Sequence, residues 1–145
     1  EERFSHATVL HRVWDLVGDG KIFQFGIRSG DRSEFVWAKD HVFTNKFNFH
    51  GLKEIVDQLK EKPVYFTLDL DVLDPSVFPG TGTPEAGGVS FQELLEAMIQ
   101  VSHLNIVGFD VNELSPVYDQ SGSSTAMACK VLRELLIAVM KNRAE

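Results

Sequence analysis

The sequence predicts an α/β domain: a mostly parallel sheet with helices on both faces, a three-layer αβα sandwich. Three observations lead there. Hydrophobic periodicity switches repeatedly between the helical and the extended repeat along the chain. The strand candidates are near-continuous apolar runs, such as Ile106 to Phe109, which suit burial on both faces. Helical segments separate successive strands, the pattern of βαβ units.

Taken in order, Ala7 to Val17 reads as a helix, with Val9, Leu10, Val13, Trp14 and Val17 on one face. Gly18-Asp19-Gly20 ends it, and Lys21 to Ile27 reads as a strand. Arg32 to Lys39 is a short helix and His41 to Phe43 a short strand. Gly51 to Lys60 carries Leu52, Ile55, Val56 and Leu59 at helical spacing. Pro63 opens a strand rich in β-formers, VYFTLDL. A loop rich in Gly, Pro and Thr spans Asp74 to Gly88. Ser90 with Glu93 forms a capping box for a helix running to about Val101. Leu104 to Asp110 is the next strand, parallel and adjacent to the Val64–Asp69 strand through a right-handed crossover. Ser124 to Met140 makes a long final helix.

Composition narrows the function classes. The chain has 145 residues, 43% hydrophobic and 24% charged, enough for one domain with a core. A formal net charge of -7 leaves no surplus of cations to neutralise phosphates, so the reading is no nucleic acid. It suits a cationic ligand or bound metal ions. No apolar run of about 18 residues exists, so the reading is also no membrane span. The start, EERFSH, is not a signal peptide and has no initiator Met, so it reads as a cut. The single cysteine, Cys129, falls in an apolar helical stretch and is expected to be a buried, inert thiol. Nothing supports an oxidising compartment, and the expected location is the cytoplasm.

The chemistry concentrates at strand ends, where open α/β sheets bind ligands. In TLDLDVLDP, Asp69, Asp71 and Asp74 sit at or just past the end of a buried strand. Residues two apart in an extended segment point the same way, so Asp69 and Asp71 are expected to converge. Paired buried carboxylates repel, and divalent cations remove that cost while activating water at neutral pH. The alternative is solvated turn acids plus a helix cap. The following PGTGTPEAGG has too many special backbone residues for a plain connector, although long loops also occur without function. In GFDVNELSP, Asp110 and Glu113 end the next strand, and Glu113 has the chemistry to grip a planar guanidinium, or is simply a solvated acid. His6 suits proton transfer near neutral pH, but His11, His41, His50 and His103 qualify equally by residue type.

These segments together resemble a known family. TLDLDVLDPSVFPGTGTPEAGG resembles the signature of the ureohydrolases, the arginase/agmatinase family. GFDVNELSP resembles its segment with the substrate-binding glutamate, and FSHAT the segment with its catalytic histidine. The resemblance implies an arginase-like fold and hydrolysis of a guanidino group to urea and an amine, using two divalent metal ions, manganese in the family. It implies that Asp69 and Asp71 are metal ligands, that Glu113 holds the guanidinium and that His6 is the proton shuttle. Thr83 resembles a residue near the substrate. Asp31 and Glu34, in GIRSGDRSE, fall where arginases place acids against the substrate's far amine. It also implies a homo-oligomer, a trimer or hexamer, with the final helix at a subunit contact.

The departures are as informative. The family's GGDHS-like and DAHxD segments, which supply the remaining metal ligands, are not in this sequence; in the family both precede FSHAT. Residues 1–145 are therefore expected to be the C-terminal portion of one ureohydrolase-like domain, with the sheet incomplete. The acid after Pro in PGTGTPE is similar to agmatinases, and the Ser/Asn-rich loop with which arginases grip an α-amino acid is missing before His6. Both favour agmatine, with arginine and guanidinobutyrate as alternatives. Two other classes remain: a phosphoesterase, disfavoured because no Arg or Lys clamp sits near the motif, and a non-catalytic half.

Overall fold

The computed structural model describes residues 4–144. Chain order alternates helix and strand. A one-turn 3-10 helix, His6–Thr8, leads into α1 (Val9–Val17). There follow β1 (Phe23–Ile27), α2 (Arg32–His41), β2 (Phe43–Lys46), α3 (Leu52–Leu59) and β3 (Pro63–Asp69). A second 3-10 turn, Leu70–Val72, and a long loop precede α4 (Phe91–Val101), β4 (Asn105–Asn112) and α5 (Ser123–Ala144).

Both strand pairings are parallel, as expected of βαβ units. β3 lies beside β4, from Pro63 opposite Asn105 to Asp69 opposite Asn112. β1 lies beside β2, with Phe23 opposite Phe43. Among the described residues the four strands form two parallel pairs rather than one continuous sheet. The pairs meet at their carboxyl ends. Gly26 of β1 is buried, and a Cβ there would stand 2.5 Å from the Val72 side chain. Its φ of 75° also demands glycine.

One core joins β3 and β4 to α3, α4 and α5. Leu94, Ala97, Met98 and Val101 form the inward stripe of α4, and Val131, Leu135 and Val139 that of α5. Val131, Leu135 and Phe78 are fully excluded from solvent. Each such side chain contributes about 1.5–3 kcal/mol by leaving water. α4 starts where the capping box puts it: Ser90 N donates to Glu93 Oε2 at 2.7 Å and Glu93 N to Ser90 Oγ at 3.2 Å.

Three sequence expectations need correction. α2 runs through His41, and β2 starts at Phe43. His41 stacks on Trp37 one helical turn back, at 4.6 Å, and its Nδ1 meets Asp19 at 2.7 Å, which extends the helix. Cys129 is exposed, because the buried stripe of α5 passes through Ala128 and Val131 and leaves position 129 outside. The DxD segment is not extended throughout: Asp69 ends the strand, and Asp71 lies in the 3-10 turn.

Candidate active site

The carboxyl ends of β3 and β4 bring Asp69, Asp71 and Glu113 into one electrostatic neighbourhood. Burial pushes the Asp71 carboxyl up to about 6, and the charges of Asp69 and Glu113 add to the rise while Arg28 opposes it. Asp69 is also raised, by burial first; a hydrogen bond from Asn112 opposes the rise and the charge of Asp110 adds to it. Asp71 feels the charge of Asp69 although it stands in the 3-10 turn and not in the strand. Displaced carboxyl pKa values at a strand end are a mark of a functional site.

Glu113 follows the last residue of β4 with φ 68°, in the left-handed region. A non-glycine residue held there costs about 1–3 kcal/mol, and such strain gathers at functional positions. The backbone twist turns the residue out of the ladder just past the strand end.

Asp74 has a different job. It accepts hydrogen bonds from Ser76 N at 3.0 Å, Gly87 N at 2.9 Å and Gly88 N at 3.1 Å. The Ser76 bonds, followed by those from the glycines, hold its carboxyl down at about 2. It clips together the two ends of the loop. A Cβ on Gly88 would sit 2.5 Å from Asp74 N, so only glycine fits the closure. Leu73 and Val89 bridge beside it, and Phe78 plugs the loop into the core. The middle of the loop is tied to α5, where Gly80 N donates to buried Ser124 Oγ at 2.9 Å, and to the segment after β4, where Ser115 N donates to Gly80 O at 2.7 Å.

Sequence reasoning passed over Arg28. Its guanidinium donates to the carbonyls of Asp71, of Val72 at 3.1 Å and of Glu85 at 3.1 Å. It thereby joins the end of β1, the 3-10 turn and the loop. Its place directly after β1 was the available signal. The fork of donors that lets one arginine serve four carbonyls, with Gly26 O of β1 the fourth at 3.5 Å, cannot be read from spacing.

The four remaining expected residues stand on other elements. His6 is exposed on the 3-10 turn before α1, and Thr83 is exposed in the loop. Asp31 is the N-cap residue of α2 and Glu34 lies in its first turn, where acids also favour the helix dipole. Among the described residues, no hydrogen bond links any of these four to Asp69 or Asp71.

The donor set suits hard divalent cations. Asp69 and Asp71 are ionised only at a cost that a cation would remove. Among the described residues no group of three or more His, Cys, Asp or Glu is arranged to hold a metal ion.

The geometry has close parallels. An agmatinase of Bacillus anthracis is 45% identical over 145 residues, covering 97% of this chain and 50% of its own length. A crystal structure from Clostridium difficile, provisionally assigned as an agmatinase, superposes with a TM-score of 0.92 at 51% identity, over 96% of this chain and 52% of its own. The agmatine ureohydrolase of Thermoplasma volcanium superposes with a TM-score of 0.83 at 32% identity, over 99% of this chain and 50% of its own. The chain spans about half the length of the curated relatives it matches. The Arginase family model matches residues 1–138, and with these relatives it establishes that the chain belongs to the Arginase family.

Proposed function

We propose that this chain is the C-terminal portion of a metal-dependent amidinohydrolase that converts agmatine to putrescine and urea. The observation that carries the reading is the electrostatic meeting of Asp69, Asp71 and Glu113 at adjacent strand ends. Two divalent ions, manganese by family resemblance, would supply an activated water and stabilise developing negative charge. Asp69 and Asp71 would hold them, with further ligands from outside these residues. Glu113 accepts two parallel N–H bonds from the planar guanidinium and presents its carbon for attack. His6 passes a proton to the departing amine. Thr83, Asp31 and Glu34 border the substrate, the two acids facing the far amine. The agmatinase relatives support this choice of substrate.

The same resemblance supports a trimer or hexamer. The outer face of α5 is consistent with a subunit contact, since Leu132, Leu136, Ile137 and Met140 are exposed along it.

Urea release by a complete enzyme carrying this chain tests the substrate. Agmatine, arginine and guanidinobutyrate are compared with and without added manganese. We expect metal-dependent turnover with agmatine preferred. Preference for arginine or guanidinobutyrate would overturn the substrate, and no urea from any of the three would overturn the activity.

A further inference from the structure

The exposed face of β3 and β4 carries a hydrogen-bonded row that leads to Asp69 and that the proposed chemistry does not use. Parallel register puts Thr67 opposite Asp110 and Asp69 opposite Asn112. Tyr65 is opposite Gly108, where a Cβ would stand 3.1 Å from its ring, so the missing side chain makes room for the tyrosine. Its hydroxyl donates to Asp110 Oδ2 at 2.8 Å, and the Thr67 hydroxyl donates to Asp110 Oδ1 at 2.7 Å. Both oxygens of Asp110 are thus held. Burial alone would raise this carboxyl, but the bonds from Thr67, Tyr65 and Asn112 outweigh it and hold it below the ordinary value.

Asn112 completes the row. Its amide nitrogen donates to Asp110 Oδ1 and lies 3.4 Å from Asp69 Oδ1. An amide has two N–H donors on one nitrogen. One is taken by Asp110, and the other lies between Asp69 Oδ1 at 3.4 Å and the Thr67 hydroxyl oxygen at 3.5 Å. Turning the amide the other way would set its oxygen against carboxylate oxygens of both Asp110 and Asp69 and lose both contacts. The orientation of Asn112 is therefore dictated by its neighbours.

Resting on the metal-ligand reading of Asp69, we infer that Asn112 is a positioning residue that orients the Asp69 carboxylate for its cation, with Tyr65, Thr67 and Asp110 holding Asn112 in turn. By occupying Oδ1, the amide leaves Oδ2 as the freer oxygen for coordination. It also partly neutralises a carboxylate that stands beside Asp71 before any cation arrives. Partners behind a metal ligand typically contribute about 10- to 100-fold in metal affinity.

The test measures manganese binding to the complete metal-stripped enzyme, from the paramagnetic resonance signal of unbound Mn²⁺. Asn112→Ala is expected to weaken binding about 10- to 100-fold. Activity should return at saturating manganese with the KM for agmatine unchanged. The metal-free melting temperature, measured on the same sample, checks that the variant is folded. Asn112→Leu, of similar size, should repeat the loss if the alanine variant folds poorly. Tyr65→Phe should give a smaller loss in the same direction although it does not touch Asp69. Wild-type affinity in both Asn112 variants overturns the inference. Asp69→Ala is measured alongside: if it loses manganese while the Asn112 variants do not, only the positioning role falls. If it too binds normally, the ligand reading falls and takes this inference with it.

Discussion

Three aspartates within six residues meet three different fates, and backbone geometry decides each. Asp69 ends a strand, Asp71 rides a 3-10 turn behind it, and Asp74 turns back to accept three loop amides. Their effects on stability have opposite signs. Asp71 is raised to about 6 from 3.8, so the folded state prefers its protonated form. Its contribution is most favourable below the ordinary value and is lost as pH rises through about 6. Asp74 is lowered to about 2, so its contribution is present above the ordinary value and is lost as pH falls through about 2. Asp71→Asn in the metal-stripped complete enzyme is therefore expected to raise the melting temperature at pH 7 and to flatten the decline between pH 4 and pH 7 that Asp71 imposes. The same variant should lose most of the stabilisation that manganese confers at pH 7. Thermal melts across that range check both. An unchanged slope would mean that Asp71 does not carry the burden assigned to it. The sequence made the pairing of Asp69 and Asp71 visible. It could not show the 3-10 turn, because an apolar residue between two aspartates fits an extended segment equally well.

At the scale of elements, the loop from Asp74 to Gly88 is a built structure. The clip at Asp74, the Leu73–Val89 bridge and the Phe78 plug each fix a different part of it. Gly88→Ala would press a methyl group against the Asp74 backbone. Overpacking of this kind costs about 1–3 kcal/mol. Phe78→Ala removes a fully buried ring and should cost about 3–5 kcal/mol. Both should also weaken turnover, since the loop carries Thr83 and contacts Arg28. Denaturant melts with activity on the same samples check this, and full stability in Gly88→Ala would show that the closure is looser than drawn. Much of this level was legible. The capping box at Ser90, the parallel pairing of β3 with β4 and the special status of the loop all follow from local rules. The extension of α2 was not, because the stack of His41 on Trp37 and its contact with Asp19 are tertiary and override the local ending. The exposure of Cys129 was missed because α5 is apolar on more than one face, so periodicity did not say which face is inside.

At the scale of the whole molecule, the described residues form two parallel strand pairs joined at their carboxyl ends, with the Asp69 and Asp71 carboxylates at the junction. Arg28 makes that junction, and its role emerged only from the three-dimensional arrangement. The family was readable from three short segments, whereas the row from Tyr65 to Asn112 required the register between strands. The central claim is that Glu113 grips a guanidinium beside metals that Asp69 and Asp71 hold. Glu113→Gln keeps the size but sets a donor against a donor. Losing such a charge-assisted pair costs about 2–5 kcal/mol, or roughly 30- to several-thousand-fold in kcat/KM. The most direct measurement is kcat/KM on agmatine together with manganese content, on one sample of the Glu113→Gln complete enzyme. The account predicts a folded, metal-replete protein with turnover lowered by that factor. Near-wild-type turnover would contradict the guanidinium role, and loss of manganese would make Glu113 a metal ligand instead.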